Sequence, residues 1–331
     1  MKAFVHDKTG TPDALHLAEI DAPECGPRDV VVENRAIGLN PVDWKFVEWG
    51  HPDWTWPHVP GVDGAGVIVE VGAEVRHLSA GMPVAYHTDL VRQGSFAERT
   101  AIPARAAIPV PDGVPFEVAA TLPCPALTAF QALEKLPQKP GARILLTGAS
   151  GAVGGAFLQL AADRGWIVHA AASSAQHDRV RRLGAAVCHD YRDPDWRNHL
   201  RIGDESRPFW AVVDLVSGSH AAELADTIAA NGHLVCIQDR QETAPLPAFT
   251  TTISLHEVGL NGLHNCGTDA QWADLVAAGR SIAERCLTGV FDPQIIEIAE
   301  FTALPDALAR LKCGPNPGNR VVRLSGGGRM S

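Results

Sequence analysis

A run of small residues between a strand and a helix carries the clearest chemistry in this sequence. Ile144-Leu145-Leu146 reads as a buried strand, Thr147 to Gly151 as a tight turn, and Ala152-Val153-Gly154-Gly155 as the opening of a helix. The spacing Ala149-x-Gly151-x-x-Gly154 matches the dinucleotide fingerprint with alanine in its first slot. The first small residue makes the turn, Gly151 lets the backbone approach a pyrophosphate, and Gly154 lets the helix pack closely on the strand. The helix N-terminus then offers N–H groups and a positive dipole end to the phosphates. The competing reading is a glycine turn used only for packing. The strand before it, the helix after it and the βαβ order favour the dinucleotide. Ser150, Gly151, Ala152, Val153 and Gly154 are the candidate contacts.

An acid about twenty residues on, at the end of the second strand, would bond the ribose 2′-hydroxyl of NAD. This chain has Ala171-Ala172-Ser173-Ser174 there, followed by His177, Arg179, Arg181 and Arg182. Hydroxyls and cations suit a 2′-phosphate, which favours NADPH over NADH. The arginines could instead form a solvated helix face, and they cannot all point inward. Ser173, Ser174 and Arg179 are the candidates.

A second concentration of chemistry lies at 44–58. Trp44, Phe46, Trp49, His51, Trp54, Trp56 and His58 fall there, in a chain with only 8 Trp. Gly50, Pro52 and Pro57 make it read as a loop with an aromatic wall. Such a loop either pins itself to its own domain or lines an apolar substrate cleft. The seven cysteines, Cys25, Cys124, Cys188, Cys236, Cys266, Cys286 and Cys313, include no C-x-x-C pair. A disulfide framework or cysteine zinc site is therefore not expected.

The elements that must position these groups read as two domains. The 331 residues are 46% apolar and 20% charged, ordinary for a globular chain with real cores. A formal charge of −10 and the lack of a basic run argue against a nucleic-acid surface. No apolar run is long enough for a transmembrane helix, and Met1 to Asp7 lacks a signal-peptide core, so a cytoplasmic location is the expectation. Residues 1–123 hold short strands near 2–6, 29–39, 60–72, 81–86 and 94–100 with Gly/Pro turns, which predicts a small irregular β-barrel. Asn40-Pro41 should end one strand and start a short helix. Pro115–Ala120 is helical, Leu122-Pro123-Cys124-Pro125 interrupts, and a helix resumes over Ala126–Leu136. Strands at 167–172, 185–189, 209–216 and 233–237 alternate with helices at 153–164, 175–183 and 221–230, predicting an α/β domain with a parallel sheet. Ile253–Leu260 reads as an edge strand, 269–289 and 304–312 as helices, 319–324 as a last strand, and Gly326–Ser331 as a disordered tail.

Four motifs in this order resemble a known family: Gly38-Leu39-Asn40-Pro41-Val42-Asp43-Trp44-Lys45, Pro60-Gly61-Val62-Asp63-Gly64-Ala65-Gly66, Leu122-Pro123-Cys124-Pro125-Ala126-Leu127-Thr128-Ala129, and the glycine turn. Together they look like the medium-chain dehydrogenase/reductase superfamily, in its zinc-independent quinone oxidoreductase branch. The resemblance covers nearly the whole chain. It implies a GroES-like catalytic domain (1–123, completed by 266–331) and a doubly wound Rossmann domain (124–265), with the cofactor in the cleft between them. It also implies homodimers through edge strands, with Ile253–Leu260 as the candidate edge. The zinc branch needs a cysteine where Leu39 and Asn40 stand and a histidine where Val62 stands, and its four-cysteine lobe is absent between Tyr86 and Gly94. No metal is therefore expected; His58 and His87 are the weaker ligand candidates.

Carried over residue by residue, the resemblance places Asn40 near the nicotinamide and the substrate oxygen, and Thr128 near the nicotinamide ribose. Tyr191 would flank the adenosine phosphate, Val216 and Ser217 the adenine, Ile237 and Gln238 the nicotinamide. Leu263 and His264 would lie beside the carboxamide, and Arg320 could reach the cofactor from the last strand. Asn40, Trp44 and His264 are the catalytic candidates, whereas Asp43 orders the loop. Related enoyl reductases carry a tyrosine proton donor in the first cleft loop; Tyr86 and Tyr191 both lie elsewhere, which disfavours fatty enoyl thioesters. The expected reaction is hydride transfer from NADPH to a quinone or another α,β-unsaturated carbonyl. The alternatives are a zinc-free alcohol or aldehyde dehydrogenase and a non-catalytic NADPH-binding protein.

Overall fold

The computed structural model describes residues 1–324; the tail expected to be disordered lies outside them. The chain divides into two compact units, Met1–Leu127 together with the chain from Asn261 onward, and Thr128–Leu260. The sequence reading places the divisions at 123/124 and 265/266. The observed bounds move Leu263 and His264 into the first unit.

In the first unit, β1 (Lys2–Val5) and β2 (His16–Glu19) pair antiparallel. The long β3 (Asp29–Leu39) begins with the β-branched run Val30 to Val32. Pro41 then opens α1 (Pro41–Trp49), where a missing N–H costs nothing because no partner is due. This helix is longer than expected, so Trp44, Phe46 and Trp49 are helical rather than part of a loop. β4 (Asp63–Val71), β5 (Pro83–His87), β6 (Arg99–Pro103) and β7 (Ala107–Pro109) complete an antiparallel sheet in the order β3-β4-β5-β7, with β6 also on β3. Val30, Val32, Ile68, Val84, Tyr86 and Ile102 fill its core. After α2 (Phe116–Ala119), α3 (Pro123–Glu134) starts at the first proline of the Pro-x-Pro pair instead of after it. Both prolines sit in the first turn, where no helical hydrogen bond is lost.

The second unit is a parallel sheet in the order β10-β9-β8-β11-β12-β13, formed by β8 (Arg143–Leu146), β9 (Ile167–Ala171), β10 (Val187–His189), β11 (Phe209–Asp214), β12 (Ile228–Cys236) and β13 (Ser254–Glu257). It is the doubly wound Rossmann sheet that the alternation predicts. α4 (Ala152–Asp163) and α5 (His177–Arg182) connect its first strands. The helix expected over 221–230 is corrected to α6 (His220–Leu224). Thr227 bonds back to the Leu224 carbonyl, and fully buried Ile228 joins Phe209 across the sheet. Strand pairing here overrides the helix propensity of the alanines.

The chain then returns to the first unit through α7 (Gly262–Cys266), α8 (Asp269–Leu287), β14 (Ile295–Glu300), α9 (Leu304–Cys313) and β15 (Asn319–Arg323). β15 pairs with β3, and β14 adds outside it. β14 was missed, although Ile295-Ile296-Glu297-Ile298 alternates with period two. Among the described residues no helix is long and apolar enough to cross a membrane.

Candidate cofactor turn and active-site residues

The glycine turn follows β8 directly. Gly148 takes φ +60°, and the Gly151 N–H bonds back to its carbonyl at 3.1 Å. Gly151 is the N-cap of α4, and no side chain caps that helix. The two fingerprint glycines differ in what requires them. A Cβ on Gly154 would sit 2.5 Å from the Gly148 oxygen and 2.7 Å from the Ala149 Cα, so only glycine lets α4 approach the turn. A Cβ on Gly151 would meet only the Gly148 oxygen, at an ordinary 3.4 Å, and its φ of −75° suits any residue. Nothing in the protein's own packing demands glycine there.

Beside this turn, Asp214 at the end of β11 is buried and accepts from Thr147 Oγ1 (2.6 Å), His220 Nδ1 (2.6 Å) and the Ser217 N–H (3.0 Å). Burial pushes its carboxyl up, but the bonds from His220, Thr147 and Ser217 outweigh it and hold the group below the usual range. Sequence reasoning missed this network, because nothing in the spacing marks Asp214 or His220.

At the end of β9, Ser173 is buried and Ser174 exposed. Arg179 reaches back to the turn and donates to the Ser150 carbonyl at 2.8 Å. Arg181 pairs with Asp178 on the exposed helix face. His177 Nε2 lies 3.0 Å from the Ala172 carbonyl. An acid does stand at this edge, directly after β10 rather than at the end of β9. The Asp190 carboxylate accepts from the Arg192 N–H (3.0 Å) and the Ser174 N–H (3.2 Å), and these bonds lower its pKa. Tyr191 and Val216 are exposed. Ser217 donates from Oγ to Gln238 Oε1 at 3.2 Å, and Ile237, half-buried, bonds to the Asp214 carbonyl. Thr128 is buried within α3.

In the first unit, Asn40 caps α1 in a capping box with Asp43. Asp43 accepts from the Asn40 N–H (2.6 Å) and the Val62 N–H (3.1 Å), which joins the first two motifs. Burial raises its pKa to about 7. The Asn40 amide donates to Asp63 Oδ2 at 2.9 Å, and the Cys124 N–H donates to the same oxygen at 2.8 Å. Three motifs distant in sequence therefore meet on one carboxylate. Asp63 Oδ1 is buried and has no partner, and burial raises this pKa well above its ordinary value.

His264 packs within the first unit. Its Nε2 lies 3.3 Å from His87 Nδ1, and its ring meets Trp272 edge-on. Arg105 donates to the His264 carbonyl, and Trp272 Nε1 to that of Leu263. Burial lowers both histidines, His87 strongly and His264 to about 4, so the pair is neutral near pH 7. Trp44 is half-buried against the core around Leu39 and Val47, with the Lys45 and Lys312 ammoniums over its ring. Trp54 stacks on His58 at 3.8 Å and donates to the Leu90 carbonyl at 2.6 Å. The loop is thus pinned to its own unit, while Trp49 stays 65% exposed. Arg320 departs from the expectation: its guanidinium is engaged by Glu297 of β14 and Asn316. Tyr86 is fully buried and bonded to Asn34. Among the described residues no group of three or more His, Cys, Asp or Glu side chains is placed to hold a metal ion.

Comparison with known proteins places this geometry. Residues 26–112 match the alcohol dehydrogenase GroES-like domain. A trans-enoyl reductase of Aspergillus terreus is 33% identical over a stretch that takes in 58% of this chain and 69% of that protein. The 2-methylene-furan-3-one reductase of Solanum lycopersicum is 33% identical over 58% of this chain and 52% of its own length. The chain spans between about half and three fifths of the length of several other curated relatives it matches. The structure of Escherichia coli quinone oxidoreductase complexed with NADPH shares the fold, with a TM-score of 0.84 at 21% identity over 98% of this chain and 100% of that one. The chain belongs to the medium-chain dehydrogenase/reductase superfamily of nicotinamide-dependent oxidoreductases.

Proposed function

We propose that this chain is a zinc-independent, NADPH-dependent reductase of the quinone oxidoreductase branch, acting on a quinone or another α,β-unsaturated carbonyl. The observation that carries the reading is Gly151, a glycine that neither packing nor φ requires, at the uncapped N-terminus of α4. Ser150 to Gly154 hold the pyrophosphate; Ser173, Ser174 and Arg179 face the 2′-phosphate. The reduced nicotinamide supplies the hydride when bound. Asn40, held by Asp63, polarises the carbonyl, and His264, neutral beside His87, lines the site with Trp44. The named relatives support the substrate class, since they reduce enoyl and methylene-furanone groups. The lack of a tyrosine donor keeps the reading on small enones and quinones rather than long-chain thioesters. The chain works as a cytoplasmic homodimer through β13, whose Leu255 is exposed at the sheet edge.

One observation favours NADH instead. Asp190 already takes the Ser174 N–H, and its negative charge would oppose a 2′-phosphate. Kinetics separate the two. Purified chain is mixed with NADPH or NADH and a panel of quinones and 2-alkenals, following absorbance of the reduced nicotinamide. Turnover with NADPH preferred is expected, and Arg179→Ala should erase the preference. Preference for NADH would move the assignment to Asp190. Binding without turnover would favour a non-catalytic binding protein, turnover of alcohols alone would favour the dehydrogenase, and stimulation by zinc would overturn the metal-free reading. Gly151→Ala should weaken cofactor binding at least tenfold while shifting Tm by less than about 3 °C. Gly154→Ala should lose about 1–3 kcal/mol of stability by overpacking.

A further inference from the structure

In an open parallel sheet the dinucleotide crevice lies where the strand order reverses. Here that point falls between β8 and β11. Their ladder ends at the pair Leu146 and Val213. The next residue on each strand is Thr147 or Asp214, so the Thr147–Asp214 bond begins where the ladder stops. The same carboxylate takes His220 Nδ1 and the Ser217 N–H. Thr147 Oγ1 in turn accepts from the Leu215 N–H at 3.3 Å. One buried acid thus ties the first residue of the glycine turn to the whole segment 215–220.

The segment is held from its far side as well. Ser217 Oγ bonds to Gln238, and the Gly218 N–H to the Asp239 carboxylate at 2.9 Å. Ser217 takes φ +81°, which a residue with a Cβ keeps only where its surroundings over-determine it. His220 opens α6, and its ring stacks on Trp196 with an interplanar angle of 13°. Trp196 belongs to the buried cluster with Phe209 and Leu224. The histidine is therefore anchored to the core on one side and to the carboxylate on the other.

We propose that Asp214 is the positioning residue of the cofactor site and His220 its latch. Through Thr147 and the Ser217 N–H they hold the glycine turn and the 215–220 segment in the arrangement that receives the dinucleotide, and neither needs to touch it. This inference rests on the reading of the glycine turn as the cofactor site.

The test is calorimetric titration of NADPH and of NADH into wild type, His220→Ala, His220→Asn, Thr147→Val and Thr147→Ser, with Tm for each and steady-state kinetics on the best substrate. His220→Ala should raise the cofactor Kd about tenfold, the effect of losing one charge-assisted hydrogen bond. Its Tm should fall by less than about 3 °C, since the ring is partly exposed. His220→Asn should recover most of the affinity, because its amide can donate from near the Nδ1 position. Thr147→Val should weaken binding, and Thr147→Ser should restore it. In the weakened variants the cofactor KM should rise while kcat at saturating cofactor stays near wild type. Wild-type affinity in both His220→Ala and Thr147→Val would overturn the proposal. So would a loss of affinity that follows Tm and is not rescued by the Asn and Ser variants. Failure of the wild type to bind either nucleotide would overturn the cofactor reading itself, and this inference with it.

Discussion

Two carboxylates at strand ends, one in each unit, meet the same burial with opposite results. Asp63 opens β4 with no exposed surface, and Asp214 closes β11 at 1% exposed. Burial pushes both upward. At Asp63 the two donors, Asn40 and the Cys124 N–H, crowd onto one oxygen, the other oxygen has none, and Asp43 nearby adds repulsion. The acid rises. At Asp214 donors reach both oxygens, and the acid falls below its usual range. Depth alone does not set a buried acid's charge. The number of donors and their spread over the two oxygens decide it.

The contrast breaks first at Asp214. Asp214→Asn turns an NH2 group toward donors and should cost about 3 kcal/mol or more at pH 7, read from urea unfolding. Because the folded pKa is depressed, the stabilisation is fully present above the unfolded value and lost as pH falls through the folded one. Wild-type and variant stabilities should therefore converge in acid, and a gap independent of pH would sink the account. Asp63 predicts the reverse. Its raised folded pKa means the folded state holds a proton that the unfolded state releases above about pH 4, so stability falls as pH rises. Asp63→Asn keeps one acceptor oxygen for both donors and cannot ionise. It should match wild type near pH 4 and become progressively more stable than wild type as pH rises toward 8. A variant less stable than wild type at both pH values would show that Asp63 is held charged.

The two sites also differ in how far the sequence exposes them. The glycine turn is legible because its elements are local: strand, turn and helix follow one another within a dozen residues, and each has its own periodicity. The Asn40–Asp43 capping box is legible for the same reason. The meeting of Asn40, Asp63 and Cys124 is not legible, since it depends on where β4 starts relative to α3. His87 and His264 are 177 residues apart, and only the returning chain brings them together. Asp190 was passed over because the expected acid belongs on β9. The aromatic cluster at 44–58 showed its composition but not its division between helix α1 and a pinned loop. The alanines after α6 misled for a related reason: local propensity names a helix, and pairing with β11 makes a strand.

The smallest effect tests whether Asp214 also bears the backbone cost at Ser217. A non-glycine residue at φ +81° carries roughly 1 kcal/mol of strain, which Ser217→Gly would remove. The glycine also frees the unfolded chain, which takes back about 0.5–1 kcal/mol, and it loses an exposed bond to Gln238 worth little. The net change should lie within about 0.5 kcal/mol of zero. Ser217→Val, β-branched in the same conformation, should lose about 1–2 kcal/mol. The informative quantity is the coupling with Asp214→Asn. If Asp214 holds the Ser217 N–H in place, the segment relaxes once that acceptor weakens, and glycine then has no strain left to relieve. A double-mutant cycle by urea unfolding should give an interaction of about 0.5–1 kcal/mol. Strict additivity would mean that Ser217 owes its conformation to Gln238 and Asp239, leaving Asp214 to organise Thr147 and His220 alone.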